Sequence, residues 1–443
     1  MDTIAAIATP AGVGGIAVIR ISGPESFAIV RKLFRGPTDP ARAEGYTVHY
    51  GKIYDPDDHA PLDEVLVTVF RAPHSYTGED VVEISCHGGR VVPNLILDAV
   101  IRAGARLARP GEFTERAFLN RKMDLVQAQA VLDLVQARTK AAVRHAFQRL
   151  QGRVSHQIEA FGEHLMSLIV EIEARIDFEE DVPPLDPAWV QQRLEALQEE
   201  LQTLIRSGQR GSLYFRGYRI AIFGPSNAGK STLFNRLVGK DRAIVTEIPG
   251  TTRDVITEET VMEGVPVVFY DTAGLRETRD QVELLGVERT RKTVEEVDLG
   301  LLVLDATHPE AIPEVPAGDL PILRLWNKVD LLTPEQRKQL PEADLQVSAK
   351  TGEGLEDLRE RIQEEIRGLV GEAAFALSAR EVHLLQSALQ DLKDAQKTLG
   401  TLGLEIVAFH LRSAYQRLQE LIGYGDIPEK ILSSIFDNFC IGK

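Results

Sequence analysis

The sequence predicts a multidomain fold. An N-terminal α+β domain is followed by an all-α helical domain, which is discontinuous because an α/β P-loop domain is inserted into it. Three observations predict this. The stretch Gly224-Pro225-Ser226-Asn227-Ala228-Gly229-Lys230-Ser231 is a phosphate-binding loop preceded by a strand-like run, Tyr218 to Phe223. From Leu119 to about Phe178 there is hardly a glycine or proline, and helical patterns resume at Glu381 to Leu399 and Glu405 to Ile422. Before residue 119, short β-branched runs alternate with turn clusters.

Within residues 1–118, Ile16 to Ile21 and Val65 to Phe70 read as strands, and a helix is expected after Val91. Residues 119–210 form the first helical part, with Leu125, Val126, Ala130, Val131, Leu134 and Val135 at helical spacing. Val182-Pro183-Pro184 ends the long helices, and a further helical pattern runs from Trp189 to Ile205. Ser207-Gly208-Gln209-Arg210-Gly211-Ser212 reads as a linker, so the inserted domain is placed at 211–373. Residues 374–443 return to helix; their apolar faces need a partner, which the helices before the insertion can provide.

The chemistry of the inserted domain follows from its loops. Glycines let backbone N–H groups turn onto phosphates, Lys230 can reach the β- and γ-phosphates, and the Ser231 hydroxyl can hold magnesium. After the apolar run Val265 to Tyr270 comes Asp271-Thr272-Ala273-Gly274, with an acidic residue where it can act near that magnesium. Ile322 to Trp326 leads to Asn327-Lys328-Val329-Asp330. The Asp330 carboxylate can accept from N1 and the exocyclic amine of guanine, a donor pair that adenine lacks. Ser348-Ala349-Lys350 follows another short strand and can offer a backbone N–H to guanine O6. GTP is the nucleotide these loops predict.

Two departures from a Ras-like pattern bear on mechanism. Leu275 stands directly after Asp271-Thr272-Ala273-Gly274, where a water-orienting glutamine would be expected, and leucine can neither orient nor deprotonate water. The phosphate loop carries Asn227, and Thr246-Glu247-Ile248-Pro249-Gly250-Thr251-Thr252-Arg253-Asp254 is rich in oxygen ligands around Thr252, expected on magnesium. An Asn227 oxygen could hold a monovalent cation where other GTPases receive an arginine finger; alternatively it only caps the loop.

The chain has 443 residues and a net charge of −16, the wrong sign for gripping nucleic acid over its whole surface. The local basic candidate is Arg138, Lys140, Arg144, His145, Arg149 and Arg153, read along one helix either as an RNA contact or as a solvated face. Cys86 and Cys440 give no disulfide framework, and neither an export signal nor a membrane segment is indicated, so a cytoplasmic location without membrane contact is expected. Cys440, fourth from the end, fits a prenylation signal poorly; it reads as a nucleophile or as a small apolar residue beside Phe436 and Phe439.

Gly250-Thr251-Thr252-Arg253-Asp254, Asp271-Thr272-Ala273-Gly274-Leu275-Arg276-Glu277 and Cys440-Ile441-Gly442-Lys443 resemble the MnmE (TrmE) family of tRNA wobble-uridine modification GTPases. The resemblance runs end to end and includes Arg20-Ile21-Ser22-Gly23, Ser75-Tyr76-Thr77-Gly78-Glu79-Asp80, His87-Gly88-Gly89 and Arg109 to Phe118. It implies that the first domain is similar to tetrahydrofolate-binding domains and makes a homodimer. A one-carbon tetrahydrofolate, in the 5,10-methylene or 5-formyl form, would meet Arg20, Glu83, Lys122 and Lys443. It also implies potassium-stimulated hydrolysis with K+ on Asn227, Thr246, Ile248 and Thr251, Mg2+ on Ser231 and Thr252 with Asp271 behind them, and a catalytic role for Glu283 and Lys230. The family's GTP contacts fall on Asn227 to Gly229, Lys230, Ser231, Thr232, the 246–252 segment, Asp271 to Gly274, and the two base loops.

As a further implication, the resemblance assigns Cys440 a part in the modification. It supplies as partner an FAD-containing protein of the MnmG/GidA family, with which the chain would install an aminomethyl or carboxymethylaminomethyl group at carbon 5 of the wobble uridine of tRNA. The alternative is a ribosome-assembly GTPase of the Era or Der type. Such proteins carry a KH-like appendage or a second P-loop domain, neither of which is legible after Gly371.

Overall fold

The computed structural model describes residues 2–178, 180, 183–239, 256–271, 297–310, 312, 320–371, 373–425 and 427–443. The chain forms two compact units, one of residues 1–132, 149–198 and 384–443, the other of residues 133–148 and 199–383.

In the first unit a seven-stranded sheet has the order β3-β4-β5-β6-β2-β1-β7. Its strands are β1 (Ile4–Ile7), β2 (Ile16–Ser22), β3 (Phe34–Arg35), β4 (Thr47–Tyr54), β5 (Pro61–Phe70), β6 (Val81–His87) and β7 (Arg106–Leu107). Alternation decides which side is core. Ala17, Ile19 and Ile21 of β2, Val65, Val67 and Val69 of β5, and Val82, Ile84 and Cys86 of β6 are buried together with Ile29, Val30, Leu33, Ile96 and Val100 from the helices Ser26–Leu33 and Val92–Arg102. The opposite face of the same strands therefore carries Val18, Arg20, Glu83 and Ser85. Antiparallel register sets Arg20 directly against Glu83 and Val18 against Ser85.

The same unit holds the helices Arg153–Asp177 and Leu404–Ile422, which pack along each other through Gly162, Tyr415 and Leu418. Near the end of the chain, Phe436 and Phe439 are buried with Leu125, Ala128 and Val131, so the last helix, Glu429–Phe436, is anchored by two aromatic side chains.

The second unit contains a six-stranded sheet of order β13-β12-β11-β8-β10-β9. Its members are β8 (Tyr218–Phe223), β9 (Ile256–Met262), β10 (Val265–Asp271), β11 (Leu299–Asp305), β12 (Ile322–Asn327) and β13 (Leu345–Gln346). All pairs are parallel except β9 with β10. The central strands read as near-continuous apolar runs because both faces are covered. Every loop leaving the C-terminal ends of β8, β11 and β12 consequently opens on one edge of the sheet, the usual place for a ligand in a doubly wound fold.

Two sequence expectations fail here for identifiable reasons. The proposed linker, Ser207 to Ser212, lies inside one continuous helix, Pro187–Arg216. Its glycines serve close packing: a Cβ on Gly208 would overlap Leu377, and one on Gly211 would overlap the Phe375 carbonyl. The basic series from Arg138 to Arg153 is not on one helix either. Leu125–Gln136, Lys140–Leu150 and Arg153–Asp177 are separate, with Gly152 at φ +81° between the last two.

Candidate functional site

The phosphate loop connects β8 to the helix Lys230–Val238, whose N-cap is Gly229 at φ +91°. A Cβ on Gly229 would collide with the Asn327 amide, and one on Gly224, at φ +141°, would collide with the Val303 carbonyl. The loop is thus pressed against its neighbours wherever it is glycine. Asn227, exposed at φ +65°, adopts the left-handed conformation that asparagine tolerates best among non-glycine residues. Lys230 Nζ donates to the Gly224 carbonyl at 3.0 Å and the Pro225 carbonyl at 2.8 Å, which holds a positive charge at the mouth of the loop. Ser231 and Thr232 are exposed in the first turn of the helix, where backbone N–H groups point outward and favour anions.

Asn327 ties this loop to the base-side loops. Its Nδ2 donates to the Ala228 carbonyl at 2.7 Å, and its Oδ1 accepts from the Ala349 backbone N–H at 2.9 Å, all within buried surroundings. One amide thereby spans two loops that are about a hundred residues apart on one side and twenty-two on the other. Beyond it, Ser348 Oγ donates to Asp330 Oδ1 at 2.6 Å, which fixes that carboxylate while the Thr351 N–H donates to Ser348 Oγ at 3.1 Å. Arg236, in the helix after the phosphate loop, donates to the Lys350 carbonyl at 2.8 Å. The structure therefore brings Asn227, Ala228, Gly229, Lys230 and Ser231 into one assembly with Asn327, Lys328, Asp330, Ser348, Ala349 and Lys350.

The segment Thr246, Glu247, Ile248, Pro249, Gly250, Thr251 and Thr252 lies outside the described residues, as do Thr272, Ala273, Gly274 and Glu283. Asp271 closes β10 beside β8, with its side chain outside what is described.

In the first unit, Arg20 Nε donates to Glu83 Oε1 at 2.8 Å and Arg20 Nη1 to the Gly442 carbonyl at 3.2 Å. The guanidinium also lies over the rings of Tyr76 and Phe113, 5.4 and 5.6 Å from their centroids. The Phe113 N–H donates to the Lys443 carbonyl at 3.1 Å, and Gly442, at φ +95°, leaves no room for a Cβ beside Ile7. Arg20, Glu83 and the chain terminus thus converge. Lys122 is exposed, donates to the Pro73 carbonyl at 3.0 Å, and runs its stem along Gly78 in the same turn that carries Tyr76. Cys440 is exposed while Phe436 and Phe439 beside it are buried, so the apolar reading applies to the phenylalanines and not to the thiol. Cys86 is buried, and desolvation pushes its thiol up to about 11.

Of the six basic residues, Arg149 and His145 are buried. His145 stacks on Tyr214 with centroids 4.5 Å apart, and Arg138 pairs with Glu259. The exposed members of the series are Arg138, Lys140 and Arg144 in the second unit and Arg153 in the first, so the series is divided between the two units. Among the described residues no helix is long and apolar enough to cross a membrane.

Sequence reading missed Asp305. It ends β11 opposite Asn327, and its carboxylate takes Lys328 Nζ at 2.6 Å. An acidic residue closing a seven-residue strand whose other members are apolar or glycine, Leu299–Asp305, was the available signal.

Two family descriptions together match nearly the whole chain. The family description "GTP-binding protein TrmE N-terminus" matches residues 3–122, and "MnmE helical domain" matches residues 125–440. The tRNA modification GTPase MnmE of Acetivibrio thermocellus is 38% identical over 100% of this chain and 99% of its own length. The proteins of that name from Bacillus subtilis, at 38% over 100% of both chains, and Streptococcus pneumoniae, at 40% over 100% of this chain and 99% of the other, are similar to the same extent. Among solved structures, the FeoB G domain of Methanococcus jannaschii covers 34% of this chain and 98% of its own at 23% identity, with a TM-score of 0.25. By its full-length likeness to these relatives and its match to both family descriptions, the chain belongs to the MnmE family of tRNA modification GTPases.

Proposed function

We infer that this chain is a GTP hydrolase acting in tRNA modification, and we propose that potassium stimulates its hydrolysis and that a tetrahydrofolate bound by its first domain supplies carbon. The observation that carries the GTP reading is Asn327, which joins the phosphate loop to the loop of Ser348 and Ala349, with Asp330 oriented by Ser348 beside it. A phosphate cradle and a base-edge acceptor are preorganised together.

Gly224 and Gly229, where a Cβ cannot fit, and the first turn of Lys230–Val238 suit a polyphosphate. Ser231 and Thr252, with Asp271 behind them, would hold magnesium, which neutralises charge developing on the phosphates. Asn227, with Thr246, Ile248 and Thr251, would hold potassium, and Glu283 would orient water in place of the glutamine that Leu275 displaces. In the first unit a folate would meet Arg20, Glu83 and the terminal Lys443, with Lys122 at the neighbouring turn. A guanidinium suits glutamyl carboxylates, and a carboxylate suits the amidine-like edge of a pterin.

In this reading the chain is a cytoplasmic homodimer that acts on the wobble uridine together with an FAD-containing partner of the MnmG/GidA family, and Cys440 takes part in the modification. Its domains divide near residues 118 and 373, and the helix Pro187–Arg216 leads into the P-loop domain in place of a linker. The conformational work of hydrolysis would pass from the P-loop domain through the helices.

Steady-state GTP hydrolysis in potassium and in sodium at equal ionic strength tests the cation. Because Asn227 sits at φ +65°, Asn227→Gly is the informative variant: it removes the side-chain oxygen without the backbone strain an alanine would add. A potassium-specific rise that disappears in Asn227→Gly is the expected result. Equal rates in both salts would overturn the cation assignment and leave the GTP site intact.

A further inference from the structure

Asp305 is held by its own turn before any partner is considered. Its Oδ1 accepts from the Thr307 backbone N–H at 3.0 Å and from Thr307 Oγ1 at 2.7 Å, so that oxygen is committed. The remaining oxygen, Oδ2, takes Lys328 Nζ at 2.6 Å, with His308 Nδ1 further away at 3.8 Å. The pair is well shielded, with 14% of the Asp305 side chain exposed and 30% of Lys328. Burial favours the neutral acid here, but the Lys328 and Thr307 hydrogen bonds outweigh it and hold the carboxyl below its ordinary range.

The backbone agrees with a fixed lysine. Lys328 has φ +67°, a conformation uncommon outside glycine and asparagine, and it is held there from both sides. The Ala306 N–H donates to the Asn327 carbonyl at 3.0 Å before it, and the Leu331 N–H donates to the Lys328 carbonyl at 3.1 Å after it. With its backbone and its ammonium both pinned, the four-carbon stem of Lys328 between them is a preset apolar wall, two residues from the Asp330 carboxylate.

We propose that Asp305 is a positioning residue for the nucleotide base: it fixes the Lys328 ammonium so that the lysine stem covers the flat face of the guanine whose edge Asp330 reads. This rests on the base-site reading given above. The division of labour is chemical. Asp330 recognises donors on the edge and therefore discriminates between bases, whereas a hydrocarbon stem touches the ring face and contributes affinity that is the same for any purine of that shape. Pinning the ammonium lowers the rotamer freedom that a long side chain would otherwise lose when the base binds.

The test uses the full chain and two substitutions, with Asp330→Asn in parallel. Asp305→Asn leaves one oxygen to serve both Thr307 and Lys328, and removes the charge. It should raise KM for GTP about tenfold, the weight of one hydrogen bond to a charged group, with kcat at saturating GTP unchanged. KM for inosine triphosphate, which lacks the exocyclic amine, should rise by the same factor, so that the preference between the two bases does not move. Thr307→Val, which removes the hydroxyl donor to Oδ1 and keeps the backbone one, should act in the same direction but more weakly. Asp330→Asn should instead shift preference toward xanthosine triphosphate.

Unchanged KM values in Asp305→Asn, with a lowered melting temperature alone, would make the pair a strut between the ends of β11 and β12 and overturn the proposal. A changed preference between GTP and inosine triphosphate in Asp305→Asn would overturn it as well, because the residue would then act on the edge. If Asp330→Asn shows no shift toward xanthosine triphosphate, the base-site reading itself fails and this proposal with it.

Discussion

Arg20 donates to the carbonyl of Gly442 at 3.2 Å, joining the second strand of the chain to its penultimate residue across 422 positions. The same side chain pairs with Glu83 in cross-strand register, so the chain terminus is held by a residue whose own orientation the sheet already sets. Contacts of such long sequence separation are closed at an entropic cost, and here they are reinforced by the buried rings of Phe436 and Phe439.

Gly442→Ala should release the tail. The residue sits at φ +95°, and an added Cβ would lie 2.5 Å from the Ile7 carbonyl oxygen. The Phe113 amide, which donates to Lys443, should lose hydrogen-exchange protection while the amides of β2 and β6 keep theirs. Retained protection at Phe113 would show that the terminus tolerates the methyl group.

Asn327→Ala removes both bonds that join the phosphate loop to the Ala349 loop. Each buried partner left unpaired costs about 1–3 kcal/mol, so GDP and GTP dissociation constants should rise by about tenfold or more. Titration with a fluorescent guanine nucleotide measures this, and an unchanged affinity would remove the bridging role.

Gly229→Ala combines a φ of +91° with a Cβ that collides with the Asn327 amide. Nucleotide binding should be abolished. Far-ultraviolet circular dichroism should stay within error of the parent, because the disturbance is confined to one loop.

Acid should weaken the first unit through Glu112. The residue is buried; burial raises its pKa, but hydrogen bonds from Arg106 and from the Arg109 backbone N–H outweigh this and hold it at about 2, against an ordinary 4.5. A carboxyl depressed on folding contributes stability that is complete above its unfolded value and is lost as pH falls through its folded value. The melting temperature of Glu112→Gln should therefore lie below that of the parent at neutral pH, and the gap should close as pH falls from about 4.5 to about 2. A gap that persists at the acid end would point to packing, not ionisation.

Much of the P-loop unit was legible in the sequence because its signals are local. A glycine-rich loop after an apolar strand, and Asn-Lys-x-Asp after another, specify both the backbone turn and the chemistry at the same positions. The strands read from composition, Ile16 to Ile21, Val265 to Tyr270 and Ile322 to Trp326, correspond to β2, β10 and β12. Glycine was misleading elsewhere: Gly208 and Gly211 resembled a linker, but in the helix Pro187–Arg216 they make room for Leu377 and Phe375, which come from far along the chain. The basic series from Arg138 to Arg153 was misread for a related reason, since burial of Arg149 and the stacking of His145 on Tyr214 depend on neighbours that periodicity does not reveal.

By itself the sequence determined the nucleotide class, the α/β character of the inserted domain and the family, because loop motifs carry their ligands' chemistry in consecutive residues. Only the tertiary structure decided that Asn327 spans two loops, that Asp305 pins Lys328, and that the chain's last residues lie against Arg20 and Phe113. These are pairings between residues separated by tens to hundreds of positions. Strand order and register set such pairings, and no local propensity encodes them.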